Sequence, residues 1–368
     1  MIDSTGKQKV LIVDDTPENI QILMETLKGE YAIVAAINGQ KALQMAVVDP
    51  IPDLILLDIM MPGLDGYQVC EKLKADDKTK NIPVIFVTAM TEEGDEQKGL
   101  DLGAVDYITK PIRPGLVKSR VRNHIELKRH RDQLEELVRE KTAELVQTQD
   151  ATINSLATLA EYRDPETGGH IKRTQNFVKA LSIKLKDHPS FSGFFDDETI
   201  DQLFKSAPLH DVGKVGVPDG ILLKPGKLTD EEFEEMKNHT QYGHDTIFRV
   251  ELELGGDIGT SFLRFAREIA NTHQEKWDGS GYPQGLKEGE IPISGRLMAL
   301  ADVYDALISR RVYKPPFTHS KAVAIITEGK GQHFDPDMVD AFVEIHEEFR
   351  QIAIEYADHD EEREALAQ

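Results

Sequence analysis

The sequence predicts two unlike domains joined by a long helix: a doubly wound α/β domain first, an all-α domain last. Three observations predict it. Apolar runs of strand length alternate with amphipathic segments from Lys9 to about Arg120. Charges are then dense, with almost no Gly or Pro, from about Val121 to Leu159. Beyond Glu161 the apolar residues recur at helical spacing, broken by Gly-containing turns. A length of 368 residues suits two or three domains. The boundaries read as 1–125, 126–160 and 161–368.

The first domain carries the runs KVLIV, AIVAA, DLILLDI, PVIFVTA and DYITKP. Continuous apolar strands between amphipathic helices make a parallel sheet covered on both faces. Its functional edge then lies at the carboxyl ends of the strands. In the connecting stretch Val138, Leu145, Thr152 and Leu159 recur every seven residues, after Leu127 and Leu134. Lys141 and Thr148 interrupt the companion seam, so the heptad is partial. So long a helix can hardly bury its stripe alone, which favours pairing of two protomers over a solvated connector.

In the last domain FDDETIDQLFKSAPLHDVG, TDEEFEEMKNHTQYGHDTIF, FLRFAREIANTHQE and ISGRLMALADVYDALISRR all carry the helical period. The tail EYADHDEEREALAQ reads as a frayed acidic helix end without a role.

Composition narrows the function. Hydrophobic content of 40 % supports real cores, and a net charge of −22 argues against non-specific binding to DNA or anionic membrane. A phosphate-ester substrate would therefore need local cations or metal ions. One cysteine, Cys70, excludes an internal disulfide framework and fits a reducing compartment. No apolar run reaches bilayer length, and MIDSTGKQKVLIVDD has no signal-peptide core. A cytoplasmic location is the expectation.

Two constellations carry chemistry. Asp14 and Asp15 follow the first strand, Asp58 the third, Thr88 the fourth and Lys110 the fifth. In a parallel sheet these polar residues converge on one edge. Three carboxylates can hold Mg²⁺ through oxygen. Asp58 can then attack a phosphoryl group as nucleophile while Lys110 balances charge and Thr88 meets the new oxygens. Any one of them alone reads as a polar residue at a strand end. Together, over residues 7 to 125, they resemble the receiver domains of response regulators, a flavodoxin-like fold. The resemblance implies phosphorylation of Asp58 by a partner histidine kinase, and it makes Tyr107 the aromatic switch.

The second set is rich in histidine. Glu166 and His170 lie four apart, His210-Asp211 falls in APLHDVGK, His239 in MKNHTQYG and His273 in NTHQEKWDGSGYP. Asp302 sits in a mainly apolar helical stretch, where a carboxylate needs a partner and coordination supplies one. An adjacent His and Asp can face one cluster, and one aspartate has two oxygens with which to bridge two metals. Imidazole with carboxylate suits iron, manganese, zinc or nickel. His188, His319 and His346 read instead as packed, hydrogen-bonded histidines.

APLHDVGK, HQEKWDGSGYP and ADVYDALISRRVYK, over roughly residues 150 to 350, resemble the HD-GYP phosphodiesterases of the HD superfamily. The resemblance implies hydrolysis of cyclic di-GMP to the linear dinucleotide pGpG, or to GMP after a second cleavage. It implies His170, His210, Asp211, His239, His273 and Asp302 as ligands of two divalent metals, iron or manganese ahead of zinc or nickel, with Glu166 at a third. Many members have two histidines where this chain has His273-Gln274. Gln274 offers an amide oxygen, a weaker ligand, so the metal count stays open.

Lys214, Arg311 and Lys314 are cations directed by the resemblance to substrate phosphates, and Lys214 joins His210 and Asp211 as catalytic. Tyr282 can stack on a guanine face. Trp277 and the nearby glycines shape the loop that presents it. Two other functions remain in view: hydrolysis of a mixed cyclic GMP-AMP, and binding of the dinucleotide without turnover.

Overall fold

The computed structural model describes residues 6–89, 93–161, 168–255, 262–310 and 315–367. Glu166, Arg311 and Lys314 lie outside the described residues. The chain divides into two compact units, Met1–Ala143 and Glu144–Gln368.

The first unit alternates β1 (Lys9–Val13), α1 (Pro17–Leu27), β2 (Ala32–Ala36), α2 (Gly39–Ala46), β3 (Leu54–Asp58), α3 (Gly66–Ala75), β4 (Val84–Thr88), α4 (Glu93–Asp101) and β5 (Asp106–Thr109). The strands form one parallel sheet in the order β2-β1-β3-β4-β5. Alternate strand residues feed two cores. Leu11, Val13, Ile55, Leu57, Val84 and Phe86 pack on one face. Val10, Ile12, Leu54, Leu56, Ile85 and Val87 pack on the other, with Val117, Val121 and Ile125. A sheet covered on both faces needs apolar residues at every strand position, which is why the strands read as continuous runs.

Helix α5 runs from Pro114 to Glu161. It begins seven residues before the predicted stretch, because its first turns are also the last helix of the α/β unit. Leu127, Leu134, Val138, Leu145 and Leu159 are all exposed on it.

The second unit is helical: α6 (Gly168–Leu185), α7 (Asp197–Ser206), α8 (Asp219–Leu222), α9 (Asp230–Leu254), α10 (Phe262–Thr272), α11 (Ile293–Ile308), α12 (His319–Glu328), α13 (Pro336–Glu355) and α14 (Asp360–Leu366). Side-chain caps fix four starts: Asp196 for α7, Thr229 for α9, Thr318 for α12 and Asp335 for α13. Phe177 of α6, Tyr304 of α11 and Phe342 and Phe349 of α13 interlock at the core, with Phe177 stacked on Phe349 at 4.5 Å. Between α7 and α8 the chain winds through two short 3₁₀ turns, Ala207–Leu209 and Val212–Gly216, and His210-Asp211 falls between them.

The tail corrects the sequence reading. It forms α14 and docks: Leu366 is buried, the buried Glu362 accepts from the Arg310 amide, and Asp358 pairs with Arg173.

Candidate active site

In the α/β unit the strand ends gather the five polar residues as the sequence suggests. Asp14 and Asp58 are buried, and Lys110 Nζ reaches Asp14 Oδ2 at 2.9 Å and Asp58 Oδ2 at 3.0 Å. Asp14, Asp15 and Asp58 bring an oxygen each within 4.8 Å of one another, a spacing one hard cation can serve. Burial and Asp14 push the Asp58 carboxyl up despite Lys110. A divalent cation there would restore the carboxylate for attack. Thr88 ends β4, also buried, and Tyr107 lies half-buried in β5 with the Arg120 guanidinium over its ring.

The helical unit assembles two ligand groups around one carboxylate. His170 opens α6, His210 and Asp211 occupy the 3₁₀ connection, His239 lies on α9, His273 follows α10 and Asp302 lies on α11. Donor atoms of His170, His210 and Asp302 lie within 4.8 Å of one another, as do those of Asp211, His239 and His273. Asp211 spans the two. Its Oδ2 is 3.2 Å from His210 Nε2, while its Oδ1 is 3.3 Å from His239 Nε2 and 3.5 Å from His273 Nε2.

The tautomers follow from the partners. His210, His239 and His273 each direct Nδ1 to a backbone carbonyl, of Ala207, Met236 and Ile269, at 3.0, 2.7 and 3.0 Å. A carbonyl only accepts, so Nδ1 carries the proton and Nε2 presents a lone pair. His170 directs Nδ1 to Asp305 Oδ2 at 2.8 Å. Four lone pairs therefore converge, with Nε2 to Nε2 distances of 3.3 Å for His170–His210 and 3.4 Å for His239–His273. Asp211 Oδ1 is buried without a hydrogen-bond donor among the described residues.

Such a set is repulsive unless a cation fills it, and imidazole with carboxylate is the donor set of borderline divalent metals. The residues present fit a dinuclear centre. The polypeptide alone shows the same demand. Burial pulls His210 down, but Asp211 and Asp302 outweigh it and raise its affinity for a proton. Burial, reinforced by His273, drives His239 down to about 4, so it is neutral and ready to ligate.

Lys214 pairs with Asp211 Oδ2 at 2.8 Å, and with His210 it holds this buried carboxyl well below the usual range. It thus faces the bridging carboxylate. Tyr282 stands edge-on to His239, ring centroids 6.3 Å apart, with Lys237 Nζ 5.7 Å from its own ring. Gln274 is half-buried, and its backbone carbonyl accepts from Tyr282 N at 3.2 Å.

The response regulator receiver domain model matches residues 10–122, and the HD domain model matches residues 154–338. A Vibrio cholerae protein named "Probable cyclic di-GMP phosphodiesterase" is 49 % identical over 95 % of this chain and 80 % of its own length. The chain belongs to the HD-GYP response regulators. A cyclic di-GMP phosphodiesterase of Thermotoga maritima is 37 % identical over 95 % of the response regulator and 94 % of its own length. A 3'3'-cGAMP-specific phosphodiesterase of Vibrio cholerae is 40 % identical, over 56 % of the response regulator and 36 % of its own length.

Three supporting residues of the response regulator escaped the sequence reading. Asp305 orients His170 and is gripped by the buried Arg173, through Nε at 2.5 Å and Nη2 at 3.0 Å. The spacing Asp302-x-x-Asp305, one turn on a single helix face, was the available signal. Arg173 has no such signal. Glu275, also buried, accepts from the backbone amides of Gln284 at 2.8 Å and Leu286 at 3.0 Å. It therefore fixes the loop that carries Tyr282. Gly281 belongs to the same close fit, since a Cβ there would lie 2.3 Å from Lys276 N.

Proposed function

We propose that the chain hydrolyses cyclic di-GMP to pGpG, or to GMP after a second cleavage, under control of phosphorylation at Asp58 by a histidine kinase. The observation that carries the reading is the Asp211 carboxylate with imidazole lone pairs at each of its oxygens. His170, His210 and Asp302 would hold one metal, and Asp211, His239 and His273 the other, with Asp211 shared. Divalent ions bound there supply an activated water and Lewis-acid charge for in-line attack on a phosphodiester. Iron or manganese is favoured, with zinc or nickel as alternatives.

The chain's own residues do the rest. The backbone carbonyls of Ala207, Met236 and Ile269, and Asp305, lock the four imidazoles with Nε2 inward. Lys214, 2.8 Å from Asp211 Oδ2, would supply a cation for a substrate phosphate bound at the centre. Tyr282 offers its half-buried ring to a base, held by Glu275. Arg311, Lys314 and Glu166 remain proposals from sequence alone. The exposed stripe of α5 supports a homodimer. Among the described residues no helix is long and apolar enough to cross a membrane.

Incubation of manganese- or iron-loaded protein with cyclic di-GMP should yield pGpG, and the His210→Ala, Asp211→Ala variant should lose turnover by several orders of magnitude. Tight binding without turnover in either metal would leave a binding-only effector. Faster turnover of cyclic GMP-AMP would reassign the substrate.

A further inference from the structure

We propose a second, peripheral metal site formed by His319, His346 and Glu347, for a borderline divalent ion of the zinc, nickel or copper kind. His319 and His346 are hydrogen-bonded, as the reading as packed histidines expects, but to each other. They meet, His319 from the first turn of α12 and His346 from the middle of α13, with Glu347 beside them.

His319 Nε2 lies 2.9 Å from His346 Nδ1, and Glu347 Oε1 lies 3.9 and 3.7 Å from those two nitrogens. A tetrahedral ion with bonds of about 2.0–2.1 Å holds its ligands roughly 3.3 Å apart. The three spacings bracket that value, so shifts of well under an ångström would complete a three-ligand face. The fourth position opens to solvent past Glu347, whose side chain is 59 % exposed.

The support is also that of a metal site. His319 is buried, and its other nitrogen lies 2.8 Å from the hydroxyl of the buried Tyr304. Such an outer partner fixes the orientation of a ligating imidazole. The His319 and His346 rings stack, centroids 5.1 Å apart. Arg350 takes Glu347 Oε2 at 2.7 Å, leaving Oε1 toward the histidines. Two neutral imidazoles and one carboxylate suit a divalent ion in charge and in softness.

The site is distinct from the catalytic centre. Tyr304 and Asp302 are two residues apart on α11, about 200° around the helix, and so face opposite ways. Without metal Tyr304, His319 and His346 are satisfied as one hydrogen-bonded chain. A bound ion would take the lone pair of His319 Nε2, with the ring proton on Nδ1 beside the Tyr304 oxygen. The bound ion would then staple α12 to α13.

The test is zinc binding by the metal-stripped full-length chain, with stoichiometry read by elemental analysis after desalting and stability read by thermal unfolding. The wild type should hold one zinc more than His346→Ala, and zinc should raise its unfolding temperature by more. Glu347→Gln, a change at the exposed ligand that leaves the helices packed, should weaken the extra site about tenfold or more. Both variants should retain manganese-supported turnover. Equal zinc content and affinity in the wild type and Glu347→Gln would overturn the proposal and leave a hydrogen-bonded Tyr304–His319–His346 chain.

Discussion

At the scale of single residues, buried charges here are held in place by other charges. Asp106 shows the consequence outside the catalytic site. It pairs with Arg120 and lies 3.1 Å from His124 Nε2, both on α5. Burial alone would raise its carboxyl, but Arg120, the Tyr107 amide and His124 outweigh it and hold it below the ordinary 3.8. A depressed folded-state pKa makes the contribution full above 3.8 and lets it fade as the pH falls below that value. Asp106→Asn should therefore destabilise the receiver unit by roughly 1.5–3 kcal/mol at pH 7. Denaturant titrations of wild type and variant should converge as the pH drops below 3.8.

Several residues that the sequence singles out share one property. Asp14, Asp58, Lys110, His210-Asp211 and His273 sit where the chain changes element, so a polar residue beside an apolar run marks them, whereas His239 and Asp302 lie within helices. Arg173 and Glu275 act through hydrogen bonds to partners 132 and about ten positions away. Those contacts exist only after folding, and no spacing announces them.

At the scale of elements, α5 was legible as one long helix but not in its beginning. Its first turns bury Val117, Val121 and Ile125 against the sheet, so amphipathic receiver helix and solvent-facing stripe merge without punctuation. Farther on, Val138 is 57 % exposed and Leu145 is 70 % exposed. Apolar residues at seven-residue spacing on an otherwise charged helix are what a second helix would cover in the proposed homodimer. Val138→Glu with Leu145→Glu should shift the protein from dimer to monomer in analytical ultracentrifugation while leaving the helical signal intact. An unchanged mass would show that the stripe is not the contact. Elsewhere a close approach replaces a stripe. A Cβ on Gly213 would sit 1.9 Å from the His239 carbonyl, so the glycine after His210-Asp211 lets α9 carry His239 up to the centre.

At the scale of the whole molecule, two acidic sites of different hardness lie on one chain. The receiver site offers oxygen alone, suited to Mg²⁺, and the helical site offers nitrogen with oxygen, suited to transition metals. Phosphorylation at the first should be read at the second. Turnover of cyclic di-GMP, or the oligomeric state, should change when a small-molecule phosphodonor and Mg²⁺ are added to wild type. Neither should change in Asp58→Asn. Identical responses from the two proteins would separate the receiver from the catalytic function.

The inward lone pairs of the helical site also bear on how long the protein survives. Ions that bind the folded domain and not the unfolded chain add a stabilising free energy that grows with the logarithm of their free concentration. The fraction of chains open to proteolysis then depends on the metal status of the surroundings. Scarcity of the preferred ion would remove the enzyme as well as silence it.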